Sequence, residues 1–103
     1  MRKIEHIGIA VKDLKAYNEL FSKLFGEGPY KQEEVASEGV KTSFFASGPN
    51  KIELLEGTRE DSPISKYVAK KGEGIHHIAF DVEEWRDGVK IGNIVREIQI
   101  AIF

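Results

Sequence analysis

The 103-residue chain has no cysteine. Disulfides, thiolate-held metals and a cysteine nucleophile are therefore excluded. It also lacks any long run of one charge sign, and its formal net charge is only -2, so nothing points to nucleic acid or a membrane surface. No apolar run approaches bilayer-spanning length. The opening Met1-Arg2-Lys3-Ile4-Glu5-His6 offers no stretch suited to a signal peptide. A cytoplasmic protein is the expectation. With 41% hydrophobic and 31% charged residues, the chain suits one small domain with a modest core.

What the chain does have is a repeat. Ile4-Glu5-His6-Ile7-Gly8-Ile9-Ala10-Val11 returns as Ile75-His76-His77-Ile78-Ala79-Phe80-Asp81-Val82. Both read Ile-x-His-Ile-small-apolar-x-Val, with a histidine at the same register. Two similar units sharing one site would produce this pattern.

Ile7, Ile9 and Val11 alternate with Ile4, His6, Gly8 and Ala10, as in a strand covered on both faces. Asp13 suits the N-cap of a helix reaching Phe25, with Gly26 behind it. Leu14, Tyr17, Leu20, Phe21 and Leu24 form its apolar stripe. Strands are expected over Tyr30–Val35, Val40–Ala46 and Lys51–Leu55, separated by the turn-like Ser37-Glu38-Gly39 and Gly48-Pro49-Asn50. This is a β-α-β-β-β unit. Asp61 or Ser62 then caps a second helix, with Pro63 in its first turn and Ile64, Tyr67 and Val68 on one face. Gly72 and Gly74 end it. The expected organisation is one α+β domain over residues 1–103: a first unit (1–57), a linker helix (61–72) and a partial second unit (74–103). Too few residues follow Val82 for a full second unit. Glu83 to Gly88 is too short for a matching helix, and Ile98-Gln99-Ile100-Ala101-Ile102-Phe103 is β-like.

If the two units pair about a pseudo-twofold axis, His6 and His77 converge. Two histidines and a carboxylate suit a divalent cation in an open site. Glu53 is the best carboxylate of the first unit, sharing a face with Lys51 and Leu55 while Ile52 and Leu54 face the helix. The blander alternatives are core histidines satisfied by hydrogen bonds and a solvated strand glutamate. Strict alternation points His76 away from His77, in a structural role or as a buttress to a ligand. Lys70-Lys71-Gly72-Glu73 reads as a solvated helix end, with phosphate binding as the alternative.

His6 to Val11, Lys51-Ile52-Glu53-Leu54-Leu55 and Gly74 to Phe80 resemble the vicinal oxygen chelate superfamily, which includes glyoxalase I. Glu60-Asp61-Ser62-Pro63-Ile64 followed by Lys70 to His77 is similar to its methylmalonyl-CoA epimerases. The resemblance covers Met1 to about Glu84. It implies a metal held by residues from four strands, with His6, Glu53 and His77 carried over by position. The fourth, a glutamate on a late strand, has Glu97 as its only stand-in, as ligand or base. Where some members place a catalytic carboxylate, this chain has Thr42.

The implied activity is epimerisation of the 2R and 2S forms of methylmalonyl-CoA, by proton abstraction α to the thioester through a metal-stabilised enolate. The implied cofactor is a divalent ion (Co, Mn, Mg, Ni or Zn), and the implied partner is an acyl-CoA. A glyoxalase I-type lyase is the alternative enzyme, and a non-catalytic small-molecule binder of the same fold is the alternative outside enzymes. An open half-barrel exposes strand edges, so a homodimer, with or without strand exchange, is also expected.

Overall fold

The computed structural model describes the backbone of residues 3–86 and 89–101, and side chains over 4–79. The chain runs β1 (Lys3–Ala10), α1 (Leu14–Phe25), β2 (Lys31–Val35), β3 (Val40–Ser47), β4 (Asn50–Gly57), α2 (Pro63–Lys71), β5 (Gly74–Arg86) and β6 (Val89–Ala101). The strands form one sheet in the order β2-β3-β4-β1-β5-β6. The expected β-α-β-β-β unit is present, in an α+β fold.

Local chemistry sets the element ends. Asp13 accepts a hydrogen bond from the Ala16 amide at 3.2 Å, and Gly26 adopts the left-handed conformation that closes α1. Of the two candidate caps for α2, Ser62 is the one used: its Oγ accepts from the Ser65 amide at 3.0 Å, with Pro63 next. Asp61 instead pairs with Arg59 at 2.8 Å. β3 and β4 extend beyond their expected ends, because Ser47 pairs with Asn50 across Gly48-Pro49. Gly48 takes a positive φ of 60° there, as the first central residue of a tight hairpin turn requires.

The two sheet faces are covered differently. On one, Val11, Phe45 and Leu54 meet Leu14 of α1, with Tyr17 and Phe21 packed alongside. Phe45 and Leu54 are fully buried, each stabilising by about 1.5–3 kcal/mol. The helix lies along Leu14, Tyr17, Phe21 and Phe25, and both phenylalanines stack within 6 Å of Phe45. Leu20 and Leu24, expected in this stripe, stay exposed because they lie to the side of that line. On the other face, α2 covers only one end, through Ile64 against Ala10, Val40 and Leu55. The rest of that face is a cleft.

The segment after Val82 is strand throughout its described part. β5 continues to Arg86 and pairs antiparallel with β6, from His77 opposite Ala101 to Arg86 opposite Val89. β5 and β6 thus form a long antiparallel pair, and no helix falls among the described residues after Gly74.

Candidate metal centre

β1 lies between β4 and β5, parallel to the first and antiparallel to the second. Gly8 is the residue opposite Glu53 on one side and His77 on the other. Lacking a side chain, it lets both close over it. A Cβ placed on Gly8 would overlap the His77 ring. His6 stands one pair further along the same face, opposite Lys51 and Ala79.

The three expected ligands therefore meet. The His6 and His77 Nε2 atoms are 2.9 Å apart, and Glu53 Oε1 lies 3.2 Å from each. Both histidines are 4% exposed. Three lone-pair donors this close, shielded from water, are stable only with protons or a cation among them. Burial alone would raise the Glu53 carboxyl, but the hydrogen bonds and charges of His6 and His77 outweigh it and hold it at about 2.

The donor set fits a divalent cation. Its donor atoms, 2.9 and 3.2 Å apart, lie close enough together to be held by one ion. Nitrogen and oxygen donors without sulfur suit the hard-to-borderline ions.

Two residues behind the histidines complete the arrangement. Glu5 Oε1 is 3.3 Å from His6 Nδ1, and Glu5 Oε2 is 3.1 Å from Lys51 Nζ. Burial would raise the Glu5 carboxyl, but Lys51 and His6 together lower it. His76 Nδ1 is 3.0 Å from His77 Nδ1. Burial lowers the His76 pKa, the neighbouring His77 adds to this, and Glu53 opposes it. Alternation pointed His76 to the opposite face. Instead it lines the same cleft as His77, because the β1/β5 register shifts between Gly8 and Ile9 and a bulge re-aims the side chain.

The cleft has a volume of about 530 Å³, the size of a small-ligand pocket. Glu53 and His77 lie among its lining residues, as do Glu33, Thr42, Arg59 and His76. Glu33 on β2 is paired directly opposite Thr42 on β3. Sequence reading missed Glu5, Gly8, Glu33 and Arg59. Only Gly8 carried a signal, as a glycine inside a strand. The Glu97 side chain lies outside the described residues; its backbone pairs with Asp81, four residues along β5 from His77. Lys70 and Lys71 are exposed, as expected of a solvated helix end. Glu73 is more engaged, accepting from the Lys12 amide at 2.7 Å and the Tyr17 hydroxyl at 3.0 Å.

Residues 5–90 match the family model of the Glyoxalase/Bleomycin resistance protein/Dioxygenase superfamily. The chain belongs to this superfamily. It is 40% identical to the uncharacterized protein YqjC of Bacillus subtilis over 78% of its own length and 57% of that protein. It is 33% identical to the mitochondrial methylmalonyl-CoA epimerase of Dictyostelium discoideum, over 85% of its length and 54% of the relative. Among solved structures, a variant methylmalonyl-CoA epimerase of Streptomyces coelicolor, in complex with 2-nitronate-propionyl-CoA, superposes with a TM-score of 0.73 at 37% identity. That match covers 82% of this chain and 64% of the other. The chain thus spans little more than half the length of these curated relatives. Among the described residues, no helix is long and apolar enough to cross a membrane.

Proposed function

We propose that the protein is a metal-dependent epimerase of methylmalonyl-CoA or a closely related acyl-CoA. The observation that carries this reading is the His6–Glu53–His77 triangle beside a cleft of ligand size. Its support from outside the chain is the similarity to methylmalonyl-CoA epimerases.

The reaction removes a proton α to a thioester and returns one to the opposite face of the planar carbon. His6, Glu53 and His77 would hold the divalent ion, which when bound supplies electrostatic stabilisation to the negative charge developing on the thioester oxygen. The remaining work falls to the protein. Glu33 is the carboxylate we assign to the proton on one face of that carbon, since it stands opposite Thr42 on a cleft-lining strand, and solvent in the open cleft exchanges the proton on the other face. Lys31 Nζ lies 2.9 Å from Glu33 Oε1. Arg59, also lining the cleft, provides a guanidinium suited to the phosphates of an acyl-CoA. α2 and the buried Val40 and Leu55 close one end with apolar surface. The homodimer expected from the sequence belongs to this same reading.

The test is optical: one isomer of methylmalonyl-CoA is incubated with the protein and Co²⁺, and circular dichroism follows its conversion to the isomer mixture. A drift of the signal to that of the isomer mixture, stopped by chelator, supports the reading. An unchanged signal with metal bound contradicts it, and points to a binding protein.

A further inference from the structure

We propose that Glu5 and His76 are matched positioning residues, each fixing the outer nitrogen of one metal-binding histidine so that the inner nitrogen faces the centre. The inference rests on the metal reading above and extends it to the residues behind the ligands.

Each of these residues immediately precedes a ligand histidine, so a regular strand would aim it at the opposite face. Two irregularities in the β1/β5 ladder prevent this. One falls between Ile4 and His6, the other between Gly8 and Ile9, where the pairing jumps from Gly8–His77 to Ile9–Ile75. Glu5 and His76 are the residues left over. They are also equivalent in the repeat, each separated from its counterpart by the same 71 residues as His6 and His77. The local symmetry of the seam thus includes its bulges. A bulge on each strand turns an extra side chain toward the adjacent histidine.

The contacts are those a metal histidine requires. A histidine binding through Nε2 carries its hydrogen on Nδ1, and the acceptor of that hydrogen fixes tautomer and ring orientation. For His6 the acceptor is Glu5 Oε1 at 3.3 Å, with Lys51 holding the second carboxylate oxygen at 3.1 Å. For His77 the acceptor is His76 Nδ1 at 3.0 Å. His76 is held in turn by the Tyr67 ring, edge-on at 4.8 Å. Tyr67 is anchored where its hydroxyl donates to the Ile75 carbonyl at 2.8 Å. The symmetry ends at chemistry. A carboxylate backs His6 and an imidazole backs His77, so His6 is made the more strongly donating ligand.

Co²⁺ titration by calorimetry, with the visible spectrum of the bound ion, tests this on the parent chain and four variants. Glu5→Ala is expected to weaken Co²⁺ binding by about 10- to 100-fold and to shift the spectrum. Glu5→Gln, whose amide oxygen still accepts from Nδ1, restores part of that loss. His76→Ala loses less than Glu5→Ala. Thermal midpoints of the metal-free proteins separate a folding defect from a ligand defect. If His77→Ala abolishes binding while Glu5→Ala and His76→Ala bind within twofold of the parent, the positioning role is wrong and the metal reading stands. If the parent itself binds no Co²⁺, both fall together.

Discussion

Ile7 pairs with Ile78 across the seam between β1 and β5, and each is the other's counterpart in the repeated strand. The two strands therefore meet about a local twofold centred on this pair. The symmetry places His6 opposite Ala79 and His77 opposite Gly8, with a small residue facing each histidine. Convergence of the imidazoles is thus a result of register. Glu53 joins them because β4 runs beside β1 with Glu53 opposite the same Gly8.

Gly8→Ala is the most direct challenge to that arrangement. The added methyl meets the ring of His77, which is itself buried. Displacing a ring in a packed site costs about 1–3 kcal/mol of stability. Co²⁺ affinity is expected to fall at least as far as in a variant lacking one outer partner, about tenfold or more. Paired denaturation and calorimetry measurements check it.

Glu33→Gln separates chemistry from metal binding. If Glu33 carries the proton, its loss lowers epimerisation by about 10²–10⁴-fold, while Co²⁺ affinity holds because His6, Glu53 and His77 are untouched. A steady-state assay beside a metal titration gives both numbers. Equal turnover by variant and parent removes Glu33 from the mechanism.

Glu53 contributes to the acid limb of metal-free stability. Its carboxyl is held at about 2 against an ordinary value of 4.5, a depressed folded pKa. Its contribution is therefore fully present above pH 4.5 and is lost as pH falls from there through about 2. The whole effect is on the order of 3 kcal/mol. Denaturation of Glu53→Gln across this window is expected to show a shallower acid limb than the parent.

Packing under α1 makes a separate claim. Phe45 is 1% exposed and touches Phe21 and Phe25, so Phe45→Ala is expected to cost about 3–5 kcal/mol. Its side chain faces away from the metal site. Urea denaturation should therefore show the loss, and the folded fraction should bind Co²⁺ as the parent does.

Much of this was legible in the sequence for physical reasons. Apolar alternation gave β1 and β5, and the caps at Asp13 and Ser62 bounded the helices. The matching register of His6 and His77 anticipated that these two side chains meet. Two misses share one cause, the assumption of a strict two-residue period. Bulges break that period at Glu5 and His76, so the residues behind the ligands were unseen or assigned to the wrong face. Glu33 was invisible because its meaning depends on pairing with Thr42, a long-range register. Leu20 and Leu24 fitted the helical stripe yet stay exposed, because helical spacing does not fix how far the sheet extends beneath α1.

The central claim is that His6, Glu53 and His77 form a metal centre for proton exchange at a thioester α-carbon. Solvent deuterium incorporation into methylmalonyl-CoA, followed by mass spectrometry with Co²⁺ and with chelator, tests it most directly. The account predicts incorporation that requires metal, disappears in His77→Ala and falls sharply in Glu33→Gln. Metal binding by the parent with no deuterium incorporated would contradict it, and would leave the cleft as a site that binds its ligand without turning it over.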